Sequence, residues 1–576
     1  MFLPPSISIP EGSGRIVRME RSSMALQRPV YRTRTLVKRL RLKPFDTDGI
    51  LRIPGGTSRL RGVAMRGASI RLLAESSTYL VQLAGVTVLA RLLVPSDFGL
   101  VAVVTTFSIF FASIGQIGFP EAILQREEIN HRDASNLFWI NLALSTLLTL
   151  AFAAAGPLLA KLYADPRISR IAVVTSLSIF FTGTSVVHLA LLDRRMHFVA
   201  VSANTIISRV LSVVLSVLLA WAGWGYWALV GAVIAQPVAA SVGAWLFCRW
   251  GPSLPRRADG TPSLVFFAMN VSGVASLNYW TRNMDNLLVG WRFGPGPLGF
   301  YKKAYDLFVL PANQLFSTFP VAVSTLSRLA RDPVQYRRHF LGGLSALALV
   351  GMGAAGVLTF VGRDLVRLIL GPAWGTAGWI FTFFAPGIGI LLIYKATSMI
   401  HLSIGTSMRF LRWTVIELVV TGVLFLLALP WGPTGVAVAW TASFWILFIP
   451  AFRYAGKPIQ LEATAVIRST WRYLAASLLA GCGCAYFTRY APFLPGLPSW
   501  TGALVRLITT SSIFLALYLI GVILVHQGSA PLRQFAGLLR EAISTDNARL
   551  QPPDQISISG EERTTAIPPS AVSTTT

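Results

Sequence analysis

The sequence predicts an all-α polytopic membrane protein, with about 14 transmembrane helices arranged as two parallel six-helix lobes plus a C-terminal helix pair. Three observations predict it. Only 13% of the 576 residues are charged while 53% are hydrophobic, half the charge density of a soluble domain. The apolar residues come in blocks of about 20, the length a helix needs to cross about 30 Å of hydrocarbon. The chain also repeats itself at an offset near 200 residues. Strand-like alternation with turns every ten residues or so is missing, which argues against an outer-membrane barrel.

Residues 1–64 are Arg-rich and acid-poor and contain no apolar run. No apolar stretch runs into a small-residue cleavage site, so this is no secretory signal. The expectation is a basic, disordered cytoplasmic tail, with Met65-Arg66, just before the first span, as an alternative beginning of the chain. The expected spans are 68–93, 98–119, 134–160, 168–191, 199–222, 226–248, 264–290, 298–325, 339–361, 377–402, 410–430, 433–453, 466–488 and 501–526. They group into an N-terminal lobe (65–262), a C-terminal lobe (263–460) and a last pair (461–526). A polar Ser/Thr/Pro segment, 527–576, is expected to be a second disordered tail.

Alternate loops differ in charge. One set carries Arg126, Arg132, Arg194, Arg195, Arg249, Arg256, Arg257, Arg328, Arg331, Arg337, Arg338, Arg409, Arg412, Arg453 and Lys457. The other carries fewer basic residues, among them Lys161, Arg167, Arg170, Arg292, Arg363, Arg367 and Arg489. By the positive-inside rule both termini are cytoplasmic, which an even number of spans satisfies. The net charge of +26 is then mostly topogenic and lipid-facing. The basic residues are spread among apolar spans, not gathered on a soluble module, so nucleic acid is not an expected partner. Cys248, Cys482 and Cys484 lack the partners of a zinc site and are expected to be buried apolar thiols. No cofactor is expected.

The repeat is carried by ordered motifs. Pro95-Ser96-Asp97-Phe98-Gly99 returns as Pro295-Gly296-Pro297-Leu298-Gly299, and Phe119-Pro120-Glu121-Ala122 as Phe319-Pro320-Val321-Ala322. Lys161-Leu162 through Pro166 resembles Arg367-Leu368 through Pro372, and Trp224-Gly225 resembles Trp431-Gly432. Six spans separate the copies, an even number that preserves orientation. The lobes are therefore parallel repeats, an architecture suited to rocking around a site at their interface.

Charges inside a span are costly and normally face a partner or a wet cavity. In the first span Arg71, Glu75, Thr78 and Gln82 share one helix face. The seventh span has an equivalent stripe, Asn278, Arg282, Asp285 and Asn286, and the offset lays Gln82 on Arg282. The eighth span adds Lys302, Lys303 and Asp306, with Asn313 and Ser317; Lys395 and Glu417 are isolated charges. Arg282 and Asp285 are close enough in sequence to neutralise each other, and equally placed to line a cavity. Arg71 with Glu75, and Lys302 with Lys303, lie near span ends and could be interfacial. His188 reads as a packed histidine. Arg forks suit phosphate, so a basic cavity would take a diphosphate or an acidic sugar.

Taken together, Ala90-Arg91-Leu92-Leu93-Val94-Pro95-Ser96-Asp97-Phe98-Gly99, Gly118-Phe119-Pro120, Asn278 through Gly290, Leu298-Gly299-Phe300-Tyr301 and Ala304-Tyr305-Asp306-Leu307 resemble the Wzx-type oligosaccharide flippases of the MOP superfamily, and within it the WzxC-like branch. The resemblance covers about residues 68–526. It implies a MATE/MOP-like fold in the cell inner membrane and export of undecaprenyl-diphosphate-linked oligosaccharide for lipopolysaccharide or exopolysaccharide synthesis. It also implies H+ or Na+ as a candidate coupling ion and a polysaccharide polymerase complex as a candidate partner. Arg282 and Asp285 match the family's R-x-x-D pattern, which places them near the cavity. The long basic N-terminus departs from the family. The competing readings are a MATE-like ion-coupled multidrug antiporter, a membrane polymerase or ligase, and a passive assembly partner. The chain has neither the long outward loop such an enzyme needs nor a HExxH, P-loop or suitable GxSxG, so no enzyme is expected.

Overall fold

A computed structural model describes residues 44–45, 50–52, 57–116, 118–126, 128–256, 261–316, 319–490 and 500–547. A short strand, β1 (Ile50–Arg52), precedes the N-terminal lobe: α1 (Thr57–Leu92), α2 (Pro95–Gln116), the short α3 (Phe119–Gln125), β2 (Glu128–Asn130), α4 (His131–Leu162), α5 (Arg167–Arg194), α6 (Phe198–Trp221) and α7 (Tyr226–Phe247). The second lobe holds α8 (Thr261–Phe293), α9 (Pro295–Phe316), α10 (Phe319–Arg328), α11 (Pro333–Leu370), α12 (Gly375–Phe384), α13 (Gly387–Ser403), α14 (Ser407–Ala428) and α15 (Gly432–Gly456). The last pair is α16 (Ala463–Tyr490) and α17 (Trp500–Val525), followed by α18 (Ala530–Asn547).

Among the described residues nine helical segments are long and apolar enough to cross a membrane, or ten if a bent pair counts as one span. α8, α9 and α16 are not among them. Each carries several charges, and two of the three hold the expected site residues. Two of the expected spans are not single helices. The tenth is broken into α12 and α13, bent by 52°. In the eighth, α9 is described to Phe316 and α10 from Phe319, the two residues between lying outside the described residues. Its repeat mate is similar: α2 runs to Gln116 and α3 begins at Phe119. In both copies the sequence is Phe-Pro, and a proline at the first turn gives up an N–H that the helix does not need. Gly118, at φ 99°, turns the chain there, and its N–H is taken by Glu121 Oε2 at 2.7 Å.

The helix pair docks on α11. Arg506 Nη2 lies 2.7 Å from Asp364 Oδ1, Tyr518 donates to the Leu349 carbonyl at 2.8 Å and Ser477 to the Met352 carbonyl at 2.9 Å. The expected C-terminal tail is corrected in part: Ala530–Asn547 is helical, with Leu532 and Phe535 against the core. Its apolar residues recur at helical spacing inside a polar composition, and an average over composition hides that pattern.

The expected N-terminal tail is corrected only where it is described; residues 1–43 lie outside the described residues, as do 548–576 of the C-terminal one. α1 begins at Thr57 and β1 pairs antiparallel with β2, Leu51 opposite Ile129. Leu51 is fully buried in a cluster with Phe119, Ile123, Leu137, Val187 and Leu191. Phe45 packs 5.1 Å from the His131 ring and Arg195 Nε donates to the Pro44 carbonyl at 2.7 Å. The segment straps the end of the first lobe where α1 starts. Leu51→Ala is expected to cost about 2–5 kcal/mol, read as a lower melting temperature of the purified protein. An unchanged melting curve would detach this strap from the lobe.

His188 is packed as expected, between Phe138, Trp245 and Trp250. Cys248 and Cys484 are buried, whereas Cys482 is exposed on its helix. The inward-facing side of α16 has room for one of the two thiols, because residues two apart on a helix do not share a face.

Candidate functional site

The repeated motifs meet. The lobes join at the end of the bundle where α1 gives way to α2, and there Gly99 lies against the Pro295 carbonyl while Gly299 lies against the Pro95 carbonyl. A methyl group on either glycine would overlap the opposing backbone oxygen. Glycine is required here because backbone meets backbone, and a carbonyl cannot swing aside as a flexible side chain would. Around this contact each lobe caps a helix of the other. Trp374 Nε1 donates to the Ala90 carbonyl in the last turn of α1 at 2.9 Å. Arg91 Nη2 donates to the Leu368 carbonyl in the last turn of α11 at 3.1 Å. Both carbonyls lack an intrahelical partner. Phe98 packs edge-on to Trp374 at 5.2 Å, and Lys303 Nζ lies 4.6 Å above the Phe98 ring. Tyr279 donates to the Thr106 carbonyl and Tyr163 to the Leu287 carbonyl, bridging the lobes further inward.

The expected site residues separate into three groups. Arg282, Lys395 and Glu417 come together from α8, α13 and α14. Arg282 lies within electrostatic reach of Glu417, Lys395 and Tyr394. Glu417 Oε2 accepts from the Tyr394 hydroxyl at 3.1 Å, which accepts from Trp413 Nε1 at 2.8 Å. Two cations thus lie within electrostatic reach of one carboxylate, which a Trp413–Tyr394 relay of hydrogen bonds holds in place.

Lys302, Lys303 and Asp306 form the second group on α9. Lys302 Nζ is 2.8 Å from Asp306 Oδ1 and Lys303 Nζ 3.9 Å from Asp306 Oδ2, at i,i+4 and i,i+3 spacing. They border the seam, so part of their charge is committed to the lobe contact.

Asp285 is buried beside the second group, within electrostatic reach of Lys302. It is 1% exposed, whereas Arg282 is exposed. Asp285 Oδ2 accepts from the Tyr301 hydroxyl and Oδ1 from the Asn286 N–H, both at 2.8 Å. This carboxylate fastens α8 to α9. Tyr301→Phe removes a hydrogen bond to a buried carboxylate and is expected to destabilise the protein by about 1.5–3 kcal/mol, seen as a lower melting temperature. Equal melting of the two proteins would deny Asp285 this anchoring role.

In the first lobe Arg71 lies 3.9 Å from Glu75 and 3.6 Å from Asp193 at the far end from the seam, largely exposed. These two form an end-of-span ion cluster. Gln82 is half-buried on α1, and the Asn278 side chain lies outside the described residues. Tyr301, Tyr394 and Trp413 escaped the sequence reading; the signal was present, since each polar aromatic sits one residue from a lysine or a helix turn away from a charge.

A multi-pass, two-lobed membrane transporter is the class these features define. The fold is that of a solved lipid II flippase, MurJ, in an inward closed conformation (TM-score 0.64, 13% identity, 79% of this chain and 99% of that one). An inward-facing multidrug-resistance MATE family transporter of the MOP superfamily is also similar (TM-score 0.54, 15% identity, 70% and 99%). The chain belongs to the polysaccharide biosynthesis protein family, whose model matches residues 88–377. That stretch begins at the end of α1 and runs through both copies of the seam motif and on into α12. Among curated relatives, the succinoglycan biosynthesis transport protein ExoT of Rhizobium meliloti (strain 1021) is 23% identical over 357 residues, 62% of this chain and 72% of that one. The lipopolysaccharide biosynthesis protein WzxC of Escherichia coli (strain K12) is 23% identical over 328 residues, 55% and 65%.

Proposed function

We propose that this protein is a flippase that moves undecaprenyl-diphosphate-linked oligosaccharide from the cytoplasmic to the periplasmic leaflet of the inner membrane, without covalent chemistry. The observation that carries the proposal is the Arg282–Lys395–Glu417 cluster. Arg282 and Lys395 lie within electrostatic reach of each other and of Glu417, which makes this a basic place inside the helical layer. Charges at such depth normally face a partner or a wet cavity. A diphosphate has the charge and the oxygen geometry to use the Arg282 fork and the Lys395 point charge together. The membership in a polysaccharide biosynthesis family and the names of its relatives, a succinoglycan transport protein and a lipopolysaccharide biosynthesis protein, support a glycan cargo.

The transport model follows from the seam. With both termini cytoplasmic, the Gly99–Gly299 contact closes the periplasmic end. The lobes separate there to release cargo and close again to reset, as parallel repeats around a shared site can. Lys302, Lys303 and Asp306 flank that exit, and Asp285 keeps α8 and α9 moving as one unit. A coupling ion, H+ or Na+, and a polymerase that receives the glycan complete the proposal. The test is a deletion strain. Lipid-linked oligosaccharide is expected to accumulate with its sugars shielded from periplasmic probes, and surface polysaccharide to disappear. Normal lipid-linked pools with altered drug sensitivity would favour the MATE-like antiporter instead.

A further inference from the structure

The repeat relates more than the seam. α1 and α6 cross where Gly85 meets Val213, and α8 and α14 cross where Gly422 meets Met284; a Cβ on either glycine would lie 2.7 Å from the facing side chain. Val213 and Gly422 are 209 positions apart, and the turns Trp224-Gly225 and Trp431-Gly432 are 207 apart. These two offsets bracket 208, which carries Arg209 onto Glu417. The offset of 200 on the partner helices carries Gln82 onto Arg282. Where the second lobe has an arginine on α8 and an acid on α14, the first lobe has a glutamine on α1 and an arginine on α6 at the corresponding positions.

Arg209 sits about 17 Å along the helix from Phe198 and about 18 Å from Trp221 at 1.5 Å per residue, too deep for its head to reach either end comfortably. It lies on the half-buried flank with Ile206, Val213 and Val217, between the exposed row of Val210, Leu211 and Val214 and the buried row of Ser208, Ser212 and Ser216. Val213 shows that this flank faces α1, and Arg209 is one turn from that crossing, level with Gln82. Among the described residues its Nε has no hydrogen-bond partner, and no ion pair joins it. The other mid-layer charges differ: Glu417 meets Tyr394 and Arg282, Asp285 meets Tyr301, and Lys302 meets Asp306. A guanidinium held at this depth with no acid beside it is suited to a partner from outside the chain.

We propose that Arg209 is the first lobe's contact for the phosphate groups of the transported lipid, opposite the Arg282–Lys395 pair of the second lobe, so that one diphosphate is handled by both lobes. The inference rests on the flippase reading above. Each lobe then offers the anion an arginine within the repeat-related helix pair, on α6 in the first lobe and on α8 in the second, and among the described residues only the second pair carries a carboxylate to compete for it. Release is biased by that asymmetry, since Glu417 can reclaim Arg282 while, among the described residues, no acid of the first lobe pairs with Arg209.

The test uses the full-length protein in lipid nanodiscs, with undecaprenyl diphosphate as probe and undecaprenol as the phosphate-free control. Arg209→Gln is expected to weaken diphosphate binding at least about tenfold and leave undecaprenol binding unchanged. Arg209→Lys is expected to recover part of the loss. Without ligand, Arg209→Gln should melt no lower than the parent, because an uncompensated charge has been removed. Arg282→Ala runs alongside. Loss of binding in Arg282→Ala with parental binding in Arg209→Gln would overturn this inference and leave the flippase reading intact. Diphosphate binding no tighter than undecaprenol in the parent would overturn both. A fall in melting temperature with Arg209→Gln that tracks the loss of binding, both restored by Arg209→Lys, would make Arg209 structural and overturn the inference.

Discussion

Gly99→Val and Gly299→Val are each expected to abolish surface polysaccharide export while the protein still reaches the membrane. The reason is geometric. A Cβ at either position overlaps the carbonyl of the opposing motif, Pro295 or Pro95. The obstacle is backbone at the start of a helix, so no rotamer change relieves it. The seam can accept the added atoms only by parting, which also breaks the Trp374–Ala90 and Arg91–Leu368 hydrogen bonds between lobes. The fold within each lobe does not use this contact, so the variants are held open at one end rather than unfolded. Spin labels at Val94→Cys and Arg292→Cys, both exposed beside the seam, should move apart in the glycine variants. Parental distances with parental export would show that the seam is not the moving contact.

Arg282→Ala is expected to remove export and to weaken diphosphate binding at least about tenfold, the loss of a charge-assisted, two-pronged contact. Arg282→Lys keeps the charge and loses the fork, so it should retain binding of intermediate strength. Arg282→Ala still leaves Lys395 within electrostatic reach of Glu417, so the carboxylate is not stripped of a cation. Loss of activity is therefore expected with little loss of stability. Equal falls in melting temperature and export would assign Arg282 to packing instead. Binding isotherms on matched amounts of purified protein decide between them.

Much of this was legible in the sequence, for physical reasons that also mark where legibility ended. The 200-residue repeat was visible because the seam admits only a narrow set of residues: glycine where backbones touch and proline where helices start. The same constraint made Phe119-Pro120 and Phe319-Pro320 visible, yet their meaning as helix breaks was not, because hydrophobicity continues across them and an apolar count reads straight through. Lys395 and Glu417 stood out as single charges in apolar surroundings, but their meeting with Arg282 depends on how three helices pack. The hydrogen bond from Tyr301 to Asp285 was hidden for the same reason. It turns a spacing that could have meant an ion pair into a link between α8 and α9. Arg209 is hidden inside the 199–222 span, whose average is strongly apolar; one charge among so many apolar neighbours vanishes in the mean and should be sought singly. The strap at Leu51 was obscured by the basic residues around it, since three residues of strand are too few to show a period.

The central claim is that the protein moves a diphosphate-linked glycan between leaflets. It is tested most directly in proteoliposomes holding the purified protein and a fluorescent undecaprenyl-diphosphate oligosaccharide, with a membrane-impermeant quencher added outside. The account predicts that the protected fraction drains to the outer leaflet with the parent protein and not with Arg282→Ala or Gly99→Val. Protection that persists as in protein-free vesicles, while the same preparation exchanges a cationic drug for protons, would contradict it.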